Sequence, residues 1–255
     1  MSKLIIGYLY KEDLNLYGDN GNVEVLAARC ARRDIACEVL LIDKGKLSSY
    51  DRLSEVNLLF MGGGPDSSQK SIYGDFLEEK EPFLRDYLLS GKTGLFVCGS
   101  YQLMGDYYRA ADGAELKGLG LFKAHTIHFG KNKPRCIGNV RAKINSEISS
   151  DPIFKNVDFL GDEIIGFENH GGRTYLDEGV TPFARVTYGH GNNLEDGTEG
   201  IVVGNCIGTY FHGPILAKNP HLADYLIAKA LNVSELPKLN DMLTTASYAA
   251  SKKLR

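Results

Sequence analysis

Short apolar runs alternate with amphipathic stretches through the first hundred residues. Leu4 to Leu9 has the length of one buried strand. The loop after it, Asp13 to Asn22, reads DLNLYGDNGN and is rich in turn and capping residues. Asn22 is placed to cap a helix running to about Asp34, with Val23, Leu26, Ala27 and Cys30 spaced to face a core. Alternation over Cys37 to Asp43 predicts a second strand. A third, Val56 to Met61, runs into Gly62-Gly63-Gly64-Pro65-Asp66. Ser71 to Ser90 reads as helix in two pieces, divided at Pro82 and closed by Gly91. Gly94 to Val97 then forms a strand, Cys98-Gly99 a turn, and Ser100 to Tyr108 a helix. Strand, helix, strand with short connections predicts an α/β chain with a mostly parallel central sheet and helices on both faces.

Beyond Gly113 the pattern changes. Runs such as FKAHTIHF, CIGNVRAKI, DEIIGFEN and TEGIVVGN are separated by glycine, asparagine and proline, which predicts a β-rich extension in the second half. Tyr188 to Gly200 reads as an exposed loop or hairpin connection. A last strand, Cys206 to Phe211, delivers His212-Gly213-Pro214, and a helix from about Asn219 to Leu231 follows. Residues 1–236 are expected to form one domain. Residues 237–255, with Lys252, Lys253 and Arg255, are expected to be a C-terminal tail or helix.

Composition narrows the classes. With 43% hydrophobic residues over 255 positions the chain can bury one large core, and a net charge of −3 leaves no nucleic-acid or anionic-membrane footprint. No segment approaches the roughly 20 apolar residues of a spanning helix, and Leu4 to Tyr10 is short for a signal peptide, so a cytoplasmic protein is expected. The five cysteines are scattered with no CxxC, which argues against a disulfide framework or a zinc site; no metal site is expected.

Three features could carry chemistry. Cys98 sits at a strand-to-helix turn, the elbow that presents a nucleophile above the sheet edge, where a helix N-terminus favours thiolate; a small buried thiol is the plain alternative. The GGGPD turn follows a strand and suits an oxyanion hole, a phosphate cradle or a simple tight turn. Cysteine nucleophiles need a base. Of six histidines, His212 is best placed if its strand lies parallel to and beside that of Cys98; His170 is second, and His128 and His190 could serve in binding.

LFVCGSYQLMG resembles the nucleophile segment of class I glutamine amidotransferases, which have a flavodoxin-like fold. GGGPD, Gly166 to Thr174 and Gly208 to Gly213, in that order, resemble their cobyric-acid-synthase-like branch. With LNLYGDNGN and HGPILAKN, the chain is similar to the glutaminase subunits of lipid II isoglutaminyl synthases. The resemblance implies that Cys98 attacks the glutamine amide to form a glutamyl thioester, with His212 as base and then acid. Gly99 and a donor from Gly63 or Gly64 would hold the oxyanion, Gln102 would line the substrate site, and Arg135 would bind glutamine. It further implies a Mur-ligase-like partner subunit that receives the ammonia, holds ATP and magnesium and amidates the D-isoglutamate α-carboxylate of lipid II. Such a chain would carry no cofactor of its own. The family's glutamate two residues after the histidine is Pro214 here, so either Cys98 and His212 work as a dyad or Asp19, Glu168 or a residue of the partner orients the base; the resemblance favours an aspartate of the partner. A stand-alone cysteine hydrolase of the same fold, an amidotransferase for a cobyrinate-type acceptor and a non-catalytic nucleotide-binding module are the competing readings.

Overall fold

The apolar runs of the first half pair as one sheet whose strand ends converge. The computed structural model describes residues 3–130 and 132–253. β1 (Leu4–Leu9) leads into α1 (Asn20–Ala31), β2 (Cys37–Ile42) and β3 (Leu58–Met61). A continuous helical stretch follows: α2 (Asp66–Asp75), a π-helical turn over Phe76–Lys80, and α3 (Glu81–Leu89). Next come β4 (Thr93–Val97) and α4 (Gly99–Met104). β5 (Tyr107–Arg109), β6 (Glu115–Lys117), β7 (Ala124–His128), β8 (Cys136–Ile144) and α5 (Ser146–Ser149) open the second half. It continues with β9 (Glu163–His170), β10 (Gly172–Leu176), β11 (Ala184–Tyr188), β12 (Thr198–Glu199), β13 (Ile201–Val203) and β14 (Cys206–Thr209). α6 (Ile215–Lys218), α7 (Pro220–Leu231) and α8 (Met242–Ser251) complete the order.

The main sheet has six strands in the order β13-β14-β4-β3-β1-β2, parallel except for the β13–β14 pair. β4 is buried along its whole length, as a central strand covered on both faces must be. Thr209 pairs with Val97 and Phe96 with Met61, so the chain leaves β14, β4 and β3 at the same edge. Cys98, His212 and the Gly62–Asp66 turn therefore meet at the carboxyl ends of neighbouring strands, where open α/β sheets build sites. The β-rich half forms two four-stranded sheets, β10-β7-β5-β6 and β12-β11-β8-β9. One of them touches the site directly: Phe167 of β9 and His212 exchange backbone hydrogen bonds, at 3.2 Å from Phe167 N and 2.7 Å from His212 N.

Local boundaries differ from the sequence pattern for identifiable reasons. Asn22 lies inside α1 rather than capping it; its buried side chain donates to Asp19 O (3.1 Å) and accepts from Leu216 N (3.0 Å), satisfying an N–H in the first turn of α6. The helix after Cys98 ends at Met104, not Tyr108, because Asp106 N turns to Ala124 O (2.7 Å) and the chain joins β7 as β5. The last strand stops at Thr209, because the Tyr210 N–H is taken by the Glu199 carboxyl at 2.7 Å. Past Leu231 the chain is tied down by charge: Arg29 forks onto both Asp224 and Asp241 at 2.6–3.0 Å, and Arg33 joins Asp224 at 2.7 Å. α8 then sets Tyr248 against Val157, Leu160 and Ile165. Among the described residues no helix is long and apolar enough to cross a membrane.

Candidate active site

Cys98 occupies a backbone conformation that a side chain rarely adopts, φ 52° and ψ −102°. Such strain costs on the order of 1–3 kcal/mol and persists only where the surroundings enforce it. Here they do. Cys98 N donates to Thr209 O (2.8 Å), Gln102 N to Cys98 O (3.0 Å), and Ser100 Oγ sits 2.7 Å from Met61 O and 3.0 Å from Val97 O. The elbow is thus clamped between β3 and β14, and the thiol stands at the start of α4.

His212 is fully buried opposite. Its Nδ1 lies 3.0 Å from Asp19 Oδ1, and its Nε2 has no hydrogen-bond partner among the described residues. Asp19 directly precedes α1 but caps nothing. Its other oxygen, Oδ2, accepts the Gly63 N–H at 2.8 Å. With its carboxylate fixed from two sides, Asp19 holds the imidazole in the tautomer that leaves Nε2 free. Burial would lower the His212 pKa, but the Cys98 thiolate and the Asp19 carboxylate outweigh it and raise it to about 10. The imidazolium is therefore the form that this corner favours.

The glycine turn is dictated by closeness. A Cβ on Gly63 would lie 2.9 Å from both Cys98 Cβ and His212 Cε1, and one on Gly62 would lie 2.3 Å from Leu14 O. Of the two turn donors that the resemblance offered for holding the oxyanion, the Gly63 N–H already serves Asp19. The Gly64 and Gly99 N–H groups have no partner among the described residues and remain for that task.

Cys98 opens into a cavity of about 450 Å³, lined among others by Tyr17, Gly64, Gln69, Gln102 and Arg135. Arg135 is exposed, and its guanidinium is aimed by Asn169, through Nε to Oδ1 (2.9 Å) and one terminal nitrogen to the carbonyl (3.0 Å). Asn169 also donates to Tyr17 Oη at 2.6 Å, and the Tyr17 ring stands edge-to-face on His212 with centroids 5.0 Å apart. Gln102 lines the wall with its amide already engaged, donating to Tyr210 Oη (3.0 Å) and accepting from Gln69 (3.2 Å).

Glu168 does not reach His212. Its carboxylate is buried under the loop between β11 and β12, where it accepts the His190 and Gly191 N–H groups at 2.7 and 2.9 Å. Of the two acids of this chain named as candidates, only Asp19 contacts the base. His170 is no base for Cys98 either: it stacks on Tyr210 at 3.6 Å, donates from Nδ1 to Gly172 O (2.8 Å), and burial lowers its pKa. His128 lines the cavity, whereas His190 lies outside it. Tyr17, Gln69 and Asn169 carried no sequence signal of their own beyond lying within or beside quoted motifs. Their roles arise from contacts across long separations.

Residues 5–220 match the family model of the CobB/CobQ-like glutamine amidotransferase domain. The chain is 38% identical over 237 residues to the lipid II isoglutaminyl synthase (glutamine-hydrolyzing) subunit GatD of Staphylococcus aureus, covering 93% of this chain and 88% of that one. It is 36% identical over 250 residues to the same subunit of Streptococcus pneumoniae, covering 95% and 88%. Among solved structures, PurLQS from Thermotoga maritima shares the fold with a TM-score of 0.61 at 14% identity, over 91% of this chain and 99% of that one.

Proposed function

The chain belongs to the CobB/CobQ-like glutamine amidotransferases, and from that premise we propose that it is the glutaminase subunit of a lipid II isoglutaminyl synthase. The observation that carries the reading is the Cys98–His212–Asp19 arrangement, with Arg135 on the wall of the same cavity. The Cys98 thiolate attacks the side-chain amide carbon of glutamine, and the carbonyl oxygen takes the negative charge. The Gly64 and Gly99 N–H groups receive it; a lost donor of this kind typically costs about 3 kcal/mol of barrier. His212, protonated and aligned by Asp19, gives its proton to the departing nitrogen, so ammonia leaves and a glutamyl thioester remains on Cys98. Neutral His212 then takes a proton from water as the water attacks the thioester, releasing glutamate and restoring the thiolate–imidazolium pair.

Arg135 binds the α-carboxylate of glutamine through a charge-assisted fork. The ammonia passes to a Mur-ligase-like synthase subunit, which holds ATP and magnesium and amidates the D-isoglutamate α-carboxylate of lipid II. The two GatD relatives support that assignment of the acceptor. The test is glutamate release from glutamine by the wild type and Cys98→Ala, each with and without the synthase subunit. Cys98-dependent release is expected, and its absence under both conditions would remove the reading.

A further inference from the structure

Among the described residues, the cavity in front of Cys98 is lined by one carboxylate and one guanidinium, those of Asp66 and Arg135. An amino acid bound there presents two opposite charges at its α-carbon, and an arginine satisfies only one of them. Asp66 ends the GGGPD turn and begins α2, so the segment that puts Gly64 on the wall of this cavity also presents this acid. It is half-buried, and its two oxygens differ. Oδ1 accepts from Tyr108 Oη at 3.0 Å, whereas Oδ2 has no hydrogen-bond partner among the described residues. Burial pushes the Tyr108 phenol well above its ordinary range, so it remains a donor and fixes the carboxylate orientation. His128, on the same wall, feels both charges: Asp66 favours its protonation and Arg135 opposes it, while burial dominates and lowers its pKa. Neutral His128 therefore does not neutralise Asp66, and among the described residues no cation forms an ion pair with the acid.

We propose that Asp66 binds the α-ammonium group of the donor whose α-carboxylate meets Arg135, so that the pair selects a free zwitterionic amino acid. The proposal rests on the amidotransferase reading and names a specificity residue within it. A carboxylate in the first turn of α2 also complements the helix dipole, which is a purely structural role. A donor comparison separates the two roles. Ammonia release by the complex with its synthase subunit is measured for L-glutamine and for 5-amino-5-oxopentanoate, which keeps the amide and carboxylate and lacks the amine.

The ratio of kcat/KM for glutamine to that for the analogue is expected to fall roughly ten- to hundredfold in Asp66→Asn, mainly through the KM for glutamine. Tyr108→Phe, which frees Oδ1, is expected to lower the same ratio by a smaller factor. Because each ratio is internal to one variant, partial loss of folded protein does not alter it. A ratio retained in Asp66→Asn overturns the proposal while leaving the amidotransferase reading in place. No Cys98-dependent ammonia from the wild-type complex overturns both.

Discussion

The Asp19 carboxylate and the His212 imidazole, 193 positions apart, lie 3.0 Å from one another with both side chains fully buried. This contact sets a carboxylate against the base where the local HGP sequence has none. The second Asp19 oxygen binds Gly63 N, so the acid, the base and the glycine turn form one rigid unit. Asp19→Asn should keep the packing but misdirect the imidazole. A fall in kcat of about 10³- to 10⁴-fold with a modest change in KM is expected from steady-state glutaminase kinetics. A variant with near wild-type kcat would mean that another acid orients His212.

Gly63→Ala tests the closeness of the site. The added methyl group would press on both Cys98 Cβ and His212 Cε1. Activity should drop at least about a hundredfold, as expected when reacting groups are displaced by a fraction of an ångström. The melting temperature should move far less than in a core truncation, and calorimetry on the same sample checks this.

Glu199 provides a pH prediction. Burial raises its pKa from 4.5 to about 8; Oε1 accepts from Thr209 Oγ1 and Tyr210 N, while Oε2 has no partner. A carboxyl with a raised folded-state pKa stabilises fully below its ordinary value and loses that contribution as pH rises through the folded value. The window is therefore pH 4.5 to 8, over which several kcal/mol drain away. Glu199→Gln mimics the neutral acid. Urea midpoints for the two proteins should be close at the acid end and separate towards pH 8, with the variant the more stable. Parallel curves would contradict the buried neutral acid.

The charge cluster under α1 should show the opposite chemistry. Arg29 and Arg33 both bind Asp224 out of water, so Asp224→Ala leaves the buried Arg33 guanidinium without a carboxylate and Arg29 with Asp241 alone. Removing one partner of such a group costs about 3–5 kcal/mol. Equilibrium unfolding should show a loss in that range, although the site itself is untouched.

The sequence made the sheet half of this fold legible because β1, β3 and β4 are short, near-continuous apolar runs and β2 alternates. The Cys98 elbow and the rim position of His212 follow from that pattern and from the parallel pairing of β4 with β14. Asp19 could be named as a candidate but not chosen, since nothing local distinguishes a capping aspartate from one turned across the sheet edge onto His212. The choice between Gly63 and Gly64 as a donor was open in the sequence for a related reason: the Gly63 N–H is taken by that same distant carboxylate. The helix expected through Tyr108 ends early because β7, a strand some twenty positions later, captures the chain. Asn169, which aims Arg135 and holds Tyr17, acts through contacts that no periodicity encodes.

The central claim is that Cys98 carries the glutamyl group between its release from ammonia and its transfer to water. Intact-mass measurement of the wild-type complex, acid-quenched during turnover with glutamine, tests it most directly. The account predicts a mass gain of one glutamyl group, located by peptide mapping to Cys98, lost in Cys98→Ala and accumulating in Asp19→Asn. Glutamate released at an undiminished rate by Cys98→Ala, or an adduct mapped to another residue, would contradict it.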